Sequence, residues 1–222
     1  WASNGRLVAK LADFGTFTAS VNYQSIGFGG LDKKLNDRNL DETFMYDLSG
    51  SFELGKFLPQ KTGISVPFFI GHSEQIVRPK YNPLNPDILL ETAIRAAQTE
   101  QEAEEIKNNA EHLTVRKSYN FTNVRKNRVG DKKSRLYNIE NFNASYSYVE
   151  VFQRSQYIRE NLQKTYRGSL GYSFAPKTKK IEPFKGIGRS PWLALIRDFN
   201  FTLYPQSLSA RVDLDRYYSR LI

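Results

Sequence analysis

The feature that most constrains this chain is strict two-residue alternation of apolar and polar side chains, sustained over whole segments. Successive side chains of a strand point to opposite sides of the sheet, so a period of two assigns each residue to a face. From Thr16 to Gln24, Phe17, Ala19, Val21 and Tyr23 share one face, and Thr16, Thr18, Ser20, Asn22 and Gln24 share the other. Phe44, Tyr46, Leu48, Gly50, Phe52 and Leu54 alternate in the same way with Met45, Asp47, Ser49, Ser51 and Glu53. Phe142, Ala144, Tyr146 and Tyr148 alternate with Asn143, Ser145 and Ser147. Tyr166, Gly168, Leu170, Tyr172 and Phe174 stand against Arg167, Ser169, Gly171 and Ser173. Leu208, Ala210, Val212 and Leu214 stand against Ser209, Arg211, Asp213 and Asp215.

Weaker segments at 6–12, 64–76 and 116–125 bring the expectation to about eight antiparallel strands. Several exceed the ~5 to 6 residues usual in globular sheets. They approach the ~9 to 11 residues a tilted strand needs to cross a bilayer. A soluble β-sandwich shows the same period. Charges in mid-strand on the polar face, at Asp47, Glu53 and Arg167, favour a wet lumen over it. Rings gather near strand ends, at Tyr23, Phe28, Phe44, Tyr46, Phe152, Tyr157 and Tyr166, as in an aromatic girdle. No apolar run approaches the ~20 residues of a membrane-spanning helix, so a chain like this crosses a membrane only as strands.

Two segments interrupt the alternation. Asn85 followed by Pro86 reads as an N-cap and first helical position, predicting a mostly helical insertion near 86–113 over one mouth of a barrel. Glu100, Glu102, Glu104 and Glu105 make that helix too acidic to span lipid. A second insertion at 176–198 opens on Lys177, Lys179 and Lys180 and contains a short helix near 190–197. The expected organisation is therefore 1–76 as about four strands, 77–114 as a Pro-rich loop with its helix, and 115–175 as about three strands. It continues with 176–198 as a basic loop and short helix and 199–222 as a final strand or strands. Hairpin ends alternate, which puts loops near 26–41, 77–114 and 155–164 at one end and turns near 13–15, 55–61 and 129–136 at the other. Long loops usually face outward in bacterial barrels, which places the 77–114 insertion outside the cell.

Little in the sequence suggests chemistry. The chain has two histidines, His72 and His112, and no cysteine. No HExxH, GxSxG, P-loop or GxGxxG pattern occurs, so catalytic, cofactor-binding and metal-binding residues are all expected to be absent. The net charge of +9 would suit nucleic acid or an anionic membrane. Arg125, Lys126, Arg128, Lys132, Lys133 and Arg135 cluster around one presumed turn, as charges at a membrane surface do, and no nucleic-acid partner is expected. Trp1 to Arg6 lacks a signal peptide, so the chain is either cytoplasmic or preceded by further residues.

Particular strings carry more than the periods do. WASNG at Trp1–Gly5, KLADFGTFTAS, YNPLNPDI, NFTNVRK at Asn120–Lys126, IENFNASYSY, KTYRGSLGYSF and RVDLDRYY together resemble the SprA/Sov family. This is the family of giant outer-membrane translocons of type IX secretion and gliding motility. The resemblance implies an all-β chain, a run of antiparallel transmembrane strands cut from a barrel of roughly 36 strands. It implies a pore in the cell outer membrane that passes folded cargo. The implied partners are the remaining strands of the translocon, a PorV-like shuttle barrel, a periplasmic plug protein, secreted cargo, and outer-membrane lipid with lipopolysaccharide. On that reading Phe17, Ala19, Val21, Tyr23, Phe44, Tyr46, Leu48, Phe52, Leu54, Tyr146, Leu170, Tyr172, Leu208 and Val212 face lipid. Thr18, Asn22, Asp47, Glu53, Ser145, Ser147, Arg167, Arg211 and Asp213 line the lumen. The alternatives are a self-contained small barrel that anchors or adheres, or a soluble β-sandwich that binds ligands.

Overall fold

The computed structural model describes residues 1–29, 34, 38–130, 135–176, 180–186, 192, 194–203 and 205–222. Eight long strands dominate it: β1 Ala2–Leu11, β2 Gly15–Gln24, β3 Asp41–Glu53, β5 Pro67–Pro79, β8 His112–Lys126, β9 Phe142–Ser155, β10 Ile158–Phe174 and β11 Leu208–Leu221. A short strand β4, Ile64–Ser65, pairs with the far end of β8. All are antiparallel, and the order β1-β2-β3-β5-β8-β9-β10-β11 follows the chain. Tight turns suffice at 12–14 and 156–157, where Ala12 takes a positive φ of 47° so that the Phe14 N–H reaches the Leu11 carbonyl at 2.9 Å.

The sheet is one layer and is not closed, since β1 and β11 are its two edges. It also lacks a core. Among the described residues only Leu90, Ala110 and Phe174 are buried apolar side chains. The chain exposes 16681 Å², against roughly 10,400 Å² for a compact monomer of its mass on the surface scaling of folded proteins. Exposure of this order leaves the sheet faces as the surfaces another phase or molecule must cover. The described residues form neither a closed small barrel nor a two-layer sandwich.

The insertion near 86–113 is mostly helical, as expected, but its start differs. Pro86 lies in a strand, β7 Asn85–Leu89, which forms a small two-stranded sheet with β6 Tyr81–Asn82. The Asn82 side chain accepts from the Leu84 N–H at 3.0 Å, closing the Asn-Pro turn locally. Two helices follow, α1 Leu90–Arg95 and α2 Glu100–Ala110, and strand β8 begins at His112. The break between them is set by Thr99, whose hydroxyl accepts from the Glu102 N–H at 3.2 Å while Glu102 accepts from the Gln98 N–H at 2.9 Å. This is a capping box displaced by one residue.

Near the second insertion, α3 spans Ala194–Arg197, and residues 190, 191 and 193 of the predicted helix lie outside the described residues. The expected loop at 155–164 is a two-residue turn, because β10 already runs from Ile158. Glu53 and Leu54, expected on opposite strand faces, mark the end of β3. Leu54 starts a single 3-10 turn, Leu54–Phe57, and the Glu53 carboxylate caps it. That carboxylate accepts from Gly55 N–H at 3.2 Å, Ser65 Oγ at 3.2 Å and Val66 N–H at 2.6 Å, so it is committed to the turn. Glu53→Ala leaves these donors unpaired and costs about 2 kcal/mol. Hydrogen exchange at the Val66 amide accelerates roughly 30-fold as a result, and an unchanged rate would show that the turn holds without the carboxylate.

Candidate functional site

The depressions among the described residues are open ones on the sheet, so the candidates are its two faces. Strand register carries each face across all eight long strands. On the polar face Thr18 stands between Val8 and Ser49, Asn22 between Asn4 and Met45, and Asp47 between Ser20 and Ser73. The Asn4 and Asn22 side chains hydrogen-bond. Arg6, Thr18, Ser20, Asn22, Asp47 and Ser49 line one shallow depression there.

A second depression gathers Ser145, Ser147, Arg167, Arg211 and Asp213 with Asn120 and Asp215. Ser147 donates to Asn120 Oδ1 at 2.6 Å, Arg167 pairs with Asp215 at 3.2 Å, and Arg211 with Asp213 at 2.8 Å. Arg167 and Asp215 are each more than two-thirds exposed, so this pair remains hydrated and contributes little to stability. The predicted polar-face residues thus fall in two depressions, with Glu53 apart in its turn. Asn4, Arg6 and Asn120 belong with them beyond the residues the sequence singled out, and Asp215 joins them as its alternation places it. Their parity relative to Asn22, Ser147 and Asp213 was the available signal.

The opposite face carries the rings. Phe17, Ala19, Val21 and Tyr23 meet Gly50, Leu48, Tyr46 and Phe44 across the β2–β3 ladder. Leu170 and Tyr172 lie between Ala144 and Phe142 on one side and Val212 and Ala210 on the other, and Leu208 faces Phe174. Tyr146 stands between Phe121 and Gly168. Ring pairs sit toward both strand ends. Trp1–Tyr23 at 4.6 Å is at the end carrying the insert, whereas Phe14–Phe57 at 4.8 Å, Phe68–Phe121 at 4.8 Å and Phe142–Tyr172 at 5.0 Å are at the other. Leu170, Val212 and Leu214 are more than half exposed, so this face is uncovered.

The same face also holds a polar network that the alternation did not announce. Glu150 pairs with Lys117 at 3.7 Å and Lys164 at 3.4 Å and accepts from the Tyr148 hydroxyl at 2.5 Å. Tyr46 donates to Glu74 at 2.7 Å and meets His72 Nε2 at 3.3 Å. Nearer the insert, Arg78 joins Glu111 at 2.7 Å and Glu42 at 3.6 Å, and Tyr23 donates to Glu42. Toward the opposite end, Lys126 approaches Glu140 at 3.5 Å. The Glu140 carboxyl is held below its ordinary range, first by its own backbone N–H and then by Lys126 and Arg128. Among the described residues no three of His, Asp and Glu come together as metal ligands would, and no helix is long and apolar enough to cross a membrane.

A single-layer antiparallel sheet with one ring-bearing face, one polar face and two open edges defines an all-β protein. Residues 1–94, which run from β1 through nearly all of α1, match the SprA_N family model, described as a motility related/secretion protein. Over these residues the chain is similar to that family. No curated protein matches it.

Proposed function

We propose that this chain forms part of the wall of an outer-membrane pore that conducts folded cargo proteins to the cell surface in type IX secretion and gliding motility. The ring face meets lipid and lipopolysaccharide, and the polar face lines the aqueous passage. The observation that carries this reading is the sheet itself: chemically opposite faces, no second layer and no core. A soluble fold would leave Phe17, Leu48, Leu170 and Val212 against water across a whole face, at about 25 cal/mol per Å² of apolar surface. In a bilayer that surface is covered, and every backbone group is paired provided further strands continue from β1 and β11. Those strands, a shuttle barrel and a periplasmic plug complete the assembly on this reading. The wall acts passively and performs no catalysis.

The test is photo-crosslinking from single positions during secretion. Benzoylphenylalanine at Asn22, Ser147 or Ser169 should yield adducts with secreted cargo, whereas the same group at Ala19, Leu48 or Leu170 should not. Adducts confined to the ring-face positions would reverse the wall, and adducts from neither face would remove the pore reading.

A further inference from the structure

The ring face is divided in a way that bears on where a membrane ends. Consider the strands from the end opposite the insert. Between Phe142 and Tyr148 on β9, the face carries no ionic side chain, and Glu150 is the first. On β10 it is free of charge from Phe174 back to Tyr166, where Lys164 follows. On β11 it is free from Leu208 to Leu214, where Arg216 follows. Phe142 to Glu150 is nine positions, Lys164 to Phe174 eleven, and Leu208 to Arg216 nine. A membrane-spanning strand needs ~9 to 11 residues.

The first charges also line up obliquely. Lys117, Glu150 and Lys164 are register partners. On β5, Glu74 lies two residues beyond His72, the partner of Lys117. On β11, Arg216 lies two residues short of Tyr218, the partner of Lys164. The line therefore drops four residues over the four strand steps from β5 to β11. One ~3.3 Å rise per ~4.8 Å step is a slope of roughly 35° to the perpendicular of the strands. Strands of membrane barrels tilt by ~35 to 45° from the barrel axis, so a plane parallel to the membrane cuts them along such a line.

We propose that the hydrocarbon border crosses the ring face along Glu74, Lys117, Glu150, Lys164 and Arg216. The charge-free belt on one side contacts acyl chains. The strand ends on the other side, with Phe152, Leu162 and the insert, stand in the headgroup layer and beyond. The chemistry supports this placement from the other direction. Two lysines share the Glu150 carboxylate, and such a cluster costs several kcal/mol per ion in hydrocarbon, whereas at the border phosphates and water reach it. At the far border the Lys126–Glu140 pair plays the corresponding part. The inference rests on the lipid-facing assignment proposed above.

Depth-dependent quenching tests it in the full-length protein in bilayers. This chain has no cysteine of its own, so a fluorophore is placed on Tyr146→Cys, Leu170→Cys, Val212→Cys, Phe152→Cys or Leu162→Cys, with Asn22→Cys and Ser147→Cys as polar-face controls. Lipids brominated in mid-chain should quench the first three several-fold more than probes at 152 and 162. Equal quenching at all five ring-face positions would overturn the border while leaving the lipid face intact. Quenching at 22 and 147 alone, or at no position, would overturn both readings. Secretion by each variant shows that it assembles.

Discussion

On the proposed lipid-facing assignment, Leu170→Arg destabilises the protein in a bilayer by about 2 to 4 kcal/mol, whereas Ser169→Arg, one residue away, is nearly neutral. Leu170 is more than half exposed on the ring face, between Ala144 and Val212, well inside the charge-free stretch of β10. On that assignment an arginine there sets a guanidinium against acyl chains, with no carboxylate on the same face within that stretch. Ser169 stands between Ser145 and Asp213 on the opposite face. An arginine at that position reaches water, Asp213 and Asp215. Denaturant titration in lipid vesicles, or the amount of folded protein recovered from outer membranes, measures the difference. A larger loss for Ser169→Arg would show that the faces are reversed.

Arg78→Ala loosens the insert by about 2 to 3 kcal/mol. Glu111 ends α2, its side chain is only 5% exposed, and Arg78 on β5 is its ion-pair partner at 2.7 Å. Removing one member of a buried pair costs about 3 to 5 kcal/mol, because the other is left charged without a partner. Arg78 is itself 44% exposed, so water reaches the site and lowers that figure. Arg78 also approaches Glu42, which accepts from Tyr23, so one side chain connects β2, β3 and β5 to the end of α2. Protease cleavage between α1 and α2 should rise roughly 30- to 100-fold in the variant. In the Arg78→Ala/Glu111→Ala double variant much of the loss should return, since no stranded charge remains. An unchanged cleavage rate would show that burial of Leu90 and Ala110 alone holds the insert.

The long strands were legible because their faces differ in chemistry, and a period of two needs no knowledge of partners. Phe44 through Phe52 and Tyr166 through Phe174 alternate between the two faces as their parity assigns. What the sequence hid depends on contacts across the chain. Glu53 continues the alternation, yet its carboxylate is drawn to Val66, thirteen residues on, and β3 ends there. Pro86 has the flanks of a helix start, but pairing of β7 with β6 captures it first. The Thr99–Glu102 cap was readable and would have split the predicted helix. Glu150 follows the parity of Tyr146 and Tyr148 with a charge where the rings stop. Only register brings Lys117 and Lys164 to either side of Glu150 and makes a continuous line of them.

Because each long strand pairs only with strands near it in the chain, the sheet needs no distant segment to begin forming. A hairpin can close by itself, and each later strand finds a template already in place beside it. Loop-closure entropy is then met in small instalments, which favours fast, directional growth from one side. The same arrangement leaves the leading strand, at whatever stage growth stands, as a row of unpaired amides and carbonyls open to the wrong neighbour. On β11 the run Arg211, Asp213, Asp215, Arg216 and Arg220 sets charge along that row. A strand that pairs there must match this sequence of both signs position by position, which narrows the set of neighbours the edge accepts.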